Sequence, residues 1–195
     1  MSYRHLDNID EKIIDATILV GSANGANKLS TKEIAKVCDI SEFVIYDHFK
    51  SKEKLLSIAD QKVTQAFNDA AHSALASGQK DFPTFWNAMV NFLLANPNFT
   101  SFSINYGHIF PRTAKPADFD DFLANEIAPI AKEILGQWNL SFQKDYLSTY
   151  IWMWTVRSIF NFAQFVIGGS LPDTPEVRGI SCSAAQNGAM SFLQK

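Results

Sequence analysis

The sequence predicts an all-α protein, and three observations carry that prediction. Apolar residues recur at three- and four-residue spacing through most of the 195 residues. Residues that cap helices stand just ahead of those runs, and no stretch alternates apolar and polar residues as a strand would. About nine helices result: a three-helix N-terminal head (residues 1–51), then a long helix that opens a larger helical body (residues 52–195). No internal repeat is present.

A polar arm with Tyr3, Arg4 and His5 comes first. Asp7 is the expected cap of a helix that Ile9, Ile13, Ala16, Ile18 and Val20 carry to about Ala23. Residues 21–28, rich in Gly, Asn and Ser, form the expected break. Ser30 followed by Glu33 is a capping-box signature, and Ile34, Ala35 and Cys38 give the short helix behind it an inward face. Cys38-Asp39-Ile40 makes the turn. Ser41 caps a second short helix with Ile45 and Phe49 inward, and Ser51 caps a long helix from about Lys52 to Ala76. In the body, helices are expected over Phe82–Ala95, from Asn98 to about His108, from Pro116 to about Trp138, over Ser141–Ile167, and from Thr174-Pro175 nearly to Lys195. Asn96-Pro97, Gly168-Gly169 and Leu171-Pro172-Asp173 punctuate them.

Two helices joined by so short a turn match the helix-turn-helix plan, whose second helix enters a DNA major groove. The run STKEIAKVCDISEFVIYDHFKSKEKLL, residues 30–56, makes the match more specific. Thr31, Ile34, Ala35, Ser41, Tyr46, His48, Phe49, Lys52 and Leu55 stand where the DNA-binding domain of TetR-family transcriptional regulators has equivalent residues. The chain resembles that family over roughly residues 9 to 56, about a quarter of its length. One departure is Asp39, where the family usually has Gly; that position calls for a left-handed backbone, which Asp tolerates better than most residues.

The resemblance implies that Thr31, Tyr46, His48 and Lys52 contact DNA phosphates, with Ser41 at the N-terminus of the reading helix. Thr31 and Lys52 also stand at helix N-termini, where free N–H groups favour an anion. From residue type alone, Glu42, Phe43 and Val44 are the candidates for base edges. Glu accepts from cytosine, and Phe or Val touches a thymine methyl. Arg4 is the candidate for a minor groove. Core packing accounts equally well for Tyr46 and better for Phe49, and His48 also reads as a surface residue near a helix end.

Composition sets the limits. The chain is 47% apolar, 13% aromatic and 19% charged, with sixteen Phe and four Trp, which suffices for a sizeable core. No run approaches the roughly 18 apolar residues that span a bilayer, and the N-terminus lacks the apolar stretch of a secretory signal. Cys38 and Cys182 form no pairing or metal motif, so a reduced, metal-free, cytoplasmic protein is expected. The net charge is −3, and residues 28–54 hold six lysines against five acids. Phosphate contacts must therefore come from placed groups rather than a broad basic field. No nucleophile elbow or phosphate loop is present, and His5, His48, His72 and His108 are scattered. Asp118, Asp120 and Asp121 are an acidic helix start. No enzyme and no cofactor is expected.

The run from Tyr146 to Ile167 is apolar nearly all round, which calls for a partner beyond one core face. A homodimer through this helix and the last one is the economical answer, and the resemblance implies the same. Ser181, Ser183, Ala184, Ala185, Gly188 and Ala189 would permit close approach. Tyr146, Tyr150, Met153, Arg157, Phe160 and Gln164 share a helical face suited to a small-molecule pocket, which Trp86, Met89, Phe102, Tyr106 and Phe110 would complete. Each aromatic reads equally as ordinary core. Arg157 is salt-bridged to a carboxylate such as Glu126 or Asp121, exposed at the dimer rim, or the counter-charge of an anionic ligand.

The expectation is a dimeric, ligand-responsive DNA-binding regulator, a repressor by family analogy. It would bind a palindromic double-stranded operator and be released by an aromatic or apolar effector. The alternative is a TetR-like co-regulator that binds a protein instead of DNA.

Overall fold

The computed structural model describes residues 8–24, 29–76, 81–106 and 153–193. Among them the chain forms eight helices and no strand: α1 (Asn8–Asn24), α2 (Thr31–Cys38), α3 (Glu42–Phe49), α4 (Lys52–Ala76), α5 (Phe82–Ala95), α6 (Pro97–Tyr106), α7 (Val156–Ile167) and α8 (Pro175–Leu193). The helix expected from Pro116 to Trp138, and the first part of the one expected from Ser141, lie outside the described residues.

Two compact units result, Met1–Gln65 with Asn98–Pro111, and Ala66–Pro97 with Arg112–Lys195. The first has a core of Ile13, Ile14 and Ile18 from α1, Ile34, Ala35 and Cys38 from α2, and Ile45 and Phe49 from α3. Leu55, Ala59 and Val63 from α4 and Phe102 from α6 complete it. Each fully buried Ile, Leu or Phe there contributes roughly 1.5–3 kcal/mol. The second is built on Phe82, Phe85, Trp86, Met89, Val90 and Leu93 of α5, with Ile159, Phe160, Phe162 and Ala163 of α7. In α4 the buried residues Leu55, Ala59, Val63, Phe67, Ala71 and Leu75 recur every four positions, the first three in one unit and the last three in the other. At 1.5 Å per residue this helix is roughly 38 Å long.

Gly21 corrects one expectation. The helix expected to about Ala23 does run to Asn24, but the break expected from Gly21 onward begins later, with Gly21 inside α1. Tertiary contact overrides the local breaker signal here. A Cβ at this position would lie 2.7 Å from the Phe102 ring, so the missing side chain is what lets α6 sit on α1. Polar contacts hold the same pair: Asn105 donates to the Gly21 carbonyl at 3.1 Å, and the Ser22 hydroxyl lies 3.1 Å from Asn98 Oδ1.

The apolar run before Ile167 differs as well. It was expected to be one helix, but a turn at Thr155 (φ −95°, ψ −84°) separates helical Met153 and Trp154 from α7. Thr155 is buried, and its carbonyl accepts the Ser158 hydroxyl at 2.7 Å and the Ile159 N–H at 3.3 Å. In α8 the small residues divide by face. Ala185 and Ala189 are buried, and a Cβ at Gly188 would meet the Trp154 ring at 2.3 Å. Ser183 and Ala184 are exposed, as are Gly179 and Ile180 one turn earlier. Arg178 joins α8 to α5: it donates to both carboxylate oxygens of Asp173 and, at 2.7 Å, to Asn91. Those bonds hold the Asp173 carboxyl below its usual range.

Gly21→Ala should lower stability by about 1–2 kcal/mol in urea unfolding. Overpacking against Phe102 outweighs the helix propensity gained.

Candidate nucleic-acid interface

The interface is built on the turn between α2 and α3. The Ser30 hydroxyl caps α2 by accepting the Lys32 N–H at 3.2 Å. The helix ends on Asp39, at φ 56° and ψ 49°, in the left-handed region the sequence called for. The Asp39 N–H bonds the Lys36 carbonyl at 3.3 Å and the Ile40 N–H bonds the Ala35 carbonyl at 3.0 Å. Those two bonds form a Schellman closure with Asp in the place glycine usually holds. Lys12 of α1 adds a cation at this C-terminal end, donating to the Cys38 carbonyl at 2.7 Å. The Cys38 thiol, buried beside it, has its pKa raised by desolvation, with the Lys12 charge opposing.

Ser41 stands at the N-terminus of α3 in extended backbone, but its hydroxyl makes no capping bond. α3 turns Ile45 and Phe49 inward and leaves Phe43 77% and Tyr46 43% exposed. Val44 is half-buried against the core of the same unit. At the far end Lys50 has φ 65° and ψ −35°, its N–H bonding the Tyr46 carbonyl at 3.0 Å and the Ser51 N–H reaching Phe49 at 2.8 Å. That tight turn passes directly into α4, where the Ser51 hydroxyl accepts the Lys54 N–H at 3.1 Å.

The candidate phosphate contacts are already engaged within the head. The Thr31 hydroxyl, on a residue only 8% exposed, donates to Glu42 Oε2 at 2.9 Å. The Tyr46 hydroxyl lies 3.3 Å from Thr31 Oγ1. His48 Nδ1 is 2.6 Å from Asp10 Oδ1, which ties α3 to α1. Lys52 Nζ donates to the Leu29 carbonyl at 2.5 Å. Beside them an open hollow of about 610 Å³ is lined by Lys32, Lys36, Glu33 and Glu42 together with Ser30, Ala35 and Ile40. Arg4 lies outside the described residues. Sequence reasoning missed Asp10 and Lys12 altogether. Their partners are 38 and 26 positions away, and nothing local marks either pairing.

Residues 13–57, which hold all of this geometry apart from Asp10 and Lys12, match the family model for bacterial regulatory proteins, tetR family. The head is a tetR-family domain. The fold extends that likeness over nearly the whole chain. A TetR family transcription regulator from Marinobacter aquaeolei VT8 superposes with a TM-score of 0.71 at 20% identity, covering 93% of this chain and 95% of that one. A putative tetR family transcription regulator from Shewanella sp. PV-4 gives 0.69 at 19% identity over 92% and 97%. A TetR-like transcriptional regulator from Rhodococcus sp. RHA1 gives 0.64 at 18% identity over 97% and 99%. No curated protein matches in sequence.

In this TetR fold the candidate effector residues fall in both units. Phe102 and Tyr106 stack at 5.4 Å between centroids in the first. The Tyr106 hydroxyl is pushed above its usual pKa by burial, against a backbone hydrogen bond from Leu29. Trp86, Met89 and Phe160 are fully buried in the second, where Phe160 stacks on Phe67 at 5.3 Å and Trp86 meets Phe162 edge-on at 5.0 Å. Met153 is exposed and Arg157 half-buried, with interactions of its own. Phe110, Tyr146 and Tyr150 lie outside the described residues, as do Glu126 and Asp121. Among the described residues no group of His, Cys, Asp or Glu could hold a metal ion, and no helix is long and apolar enough to cross a membrane.

Asp39→Val should cost about 1–2 kcal/mol in thermal unfolding, because a β-branched residue is strained at positive φ, whereas Asp39→Gly should cost nothing.

Proposed function

We propose that this chain is a dimeric, ligand-responsive transcriptional regulator that represses by holding a palindromic operator and is released by a small molecule. The observation that carries the reading is the α2-turn-α3 unit in a tetR-family domain, with Phe43 and Tyr46 of α3 left outside the core. In this reading residues 1–51 bind DNA, and residues 52–195 bind the effector and form the dimer, in the cytoplasm. Base contacts fall to Phe43, Val44 and Glu42, and phosphate contacts to Thr31, Tyr46, His48 and Lys52, with Ser41 at the N-terminus of the reading helix and Arg4 reaching a minor groove. The effector is aromatic or apolar, held among side chains such as Trp86, Met89 and Phe160, and anionic if Arg157 is its counter-charge. It acts by binding better to the conformation that does not fit DNA, with α4 as the moving element.

Dimer formation is supported by the free faces of α7 and α8. Phe165 is 56%, Ile167 39% and Ile180 64% exposed, on helices whose opposite faces are core. A competing reading, a co-regulator that binds a protein rather than DNA, is favoured by one observation. The Thr31–Glu42 and His48–Asp10 pairs occupy groups that DNA would need.

Selection of bound duplex from a genomic library at low salt separates the two readings: enrichment of a palindrome supports the first, and retention of no duplex supports the second. On a selected site, Lys52→Ala should weaken binding and reduce the slope of log affinity against log salt by about one. An unchanged slope removes Lys52 from the phosphate contacts. Ile180→Asp should shift the protein from dimer to monomer in sedimentation velocity, since a carboxylate has no partner in an apolar interface.

A further inference from the structure

Every polar side chain of α3 has a partner inside the head. Glu42 accepts from Thr31 at 2.9 Å, and the Tyr46 hydroxyl lies 3.3 Å from that same oxygen. Asp47 lies 3.9 Å from Lys50, and His48 pairs with Asp10 at 2.6 Å. Of the other residues, Ile45 and Phe49 are core and Val44 is half-buried against it. Phe43 differs from all of these. At 77% it is the most exposed large apolar side chain among the described residues. It stands in the first turn of α3, the end that a reading helix presents to base edges. Its ring can therefore meet a base without breaking any bond of the head.

What such a ring can tell apart follows from the groups that the major groove displays. A C·G pair offers the cytosine N4 amino group and a T·A pair the adenine N6 amino group, so the carboxylates of Glu42 and Asp47 find a donor on either. α3 carries no Arg, Asn or Gln to grip a purine. In unmodified DNA the one methyl group on a major-groove edge is at C5 of thymine, and 5-methylcytosine carries the same group at the same place. Burying that methyl against a phenyl ring is favourable whichever pyrimidine bears it. We propose that Phe43 makes this head a reader of pyrimidine C5-methyl groups, which takes thymine or 5-methylcytosine and discriminates against unmethylated cytosine. This rests on the DNA-binding reading above and adds to it that methylation of cytosine changes where the protein binds.

The test uses the full chain and a duplex selected from a genomic library at low salt, resynthesised with single-base changes. Uracil in place of one thymine at a time removes a methyl and leaves every hydrogen bond. Separately, 5-methylcytosine in place of one cytosine at a time adds the methyl. Wild type should lose about fourfold at one uracil position, or gain about fourfold at one 5-methylcytosine position, the scale of one buried methyl group. The first result assigns thymine as the base read in that duplex, and the second assigns 5-methylcytosine; both support the inference. At the position so found, wild type should bind 5-methylcytosine·G about fourfold better than cytosine·G. Phe43→Ala should be indifferent to the methyl there, and Phe43→Leu, still apolar, should keep part of the effect. Because Phe43 lies outside the core, both variants should unfold at the wild-type midpoint, which keeps a folding defect from being read as a binding change. If no uracil costs affinity and no 5-methylcytosine adds it while wild type holds the duplex, the inference is wrong and the DNA reading stands. A methyl effect of undiminished size in Phe43→Ala also overturns it, since another group or the stiffness of the duplex then senses the methyl. If wild type retains no duplex at low salt, the DNA reading fails and this inference with it.

Discussion

The left-handed closure at Asp39 is the constraint on which the head depends. Two bonds from the turn satisfy carbonyls at the end of α2, and the chain reverses within three residues. Ile34, Ala35 and Cys38 then meet Ile45 and Phe49 across a crossing that Ala35 keeps close. Because Ile45 and Phe49 must point inward, Phe43 and Tyr46 must point outward on so short a helix. The composition of the exposed face is therefore a by-product of core packing. Lys12 and Asp10 fasten this pair to α1 from the other side, one at the end of α2 and the other at the end of α3.

The second unit is held differently. Its core is mainly aromatic, with Phe67, Phe92 and Phe160 in contact and Trp86 edge-on to Phe162. Rings of this size fill space with few rotamers, and their edge-to-face contacts add to area burial. The polar tip of Trp86 is met by Ser158, which in turn bonds Thr155. The turn at Thr155 thus has a partner on α5 as well as within its own segment. Cys182 is buried in this unit, and desolvation, with the Asp81 charge, lifts its thiol pKa to about 11, which keeps it protonated and inert.

Much of this was legible in the sequence, and the failures have physical causes. The bounds of α5 and the start of α2 were legible to the residue, and the ends of α2 and α3 to within one, because caps such as Ser30 and turn residues such as Asp39 act on their own neighbours. Asp81 holds the Thr84 N–H at 2.9 Å and has its carboxyl pKa lowered by it. Gly21 misled because its local signal is that of a breaker, while its role is set by Phe102, 81 positions later. Thr155 misled because an unbroken apolar run says nothing about a carbonyl diverted to a side chain. At the candidate interface, residue types suggested which groups face DNA but not their mutual pairing. Glu42 was expected to face a base, and nothing in its neighbourhood of sequence announced Thr31 as its partner.

The seat of Phe102 on Gly21 bears on the order in which the protein is made. The head looks like an autonomous N-terminal module, yet its core includes a side chain from α6. During synthesis the first four helices are made before residues 97–106 are. Until those residues appear, the patch over Gly21 and Leu29 stays bare to water. Domains generally fold as units, the N-terminal one first; here the N-terminal unit cannot finish until the chain has passed through part of the second. A nascent head of this kind is exposed to chaperones and to premature association for as long as that takes.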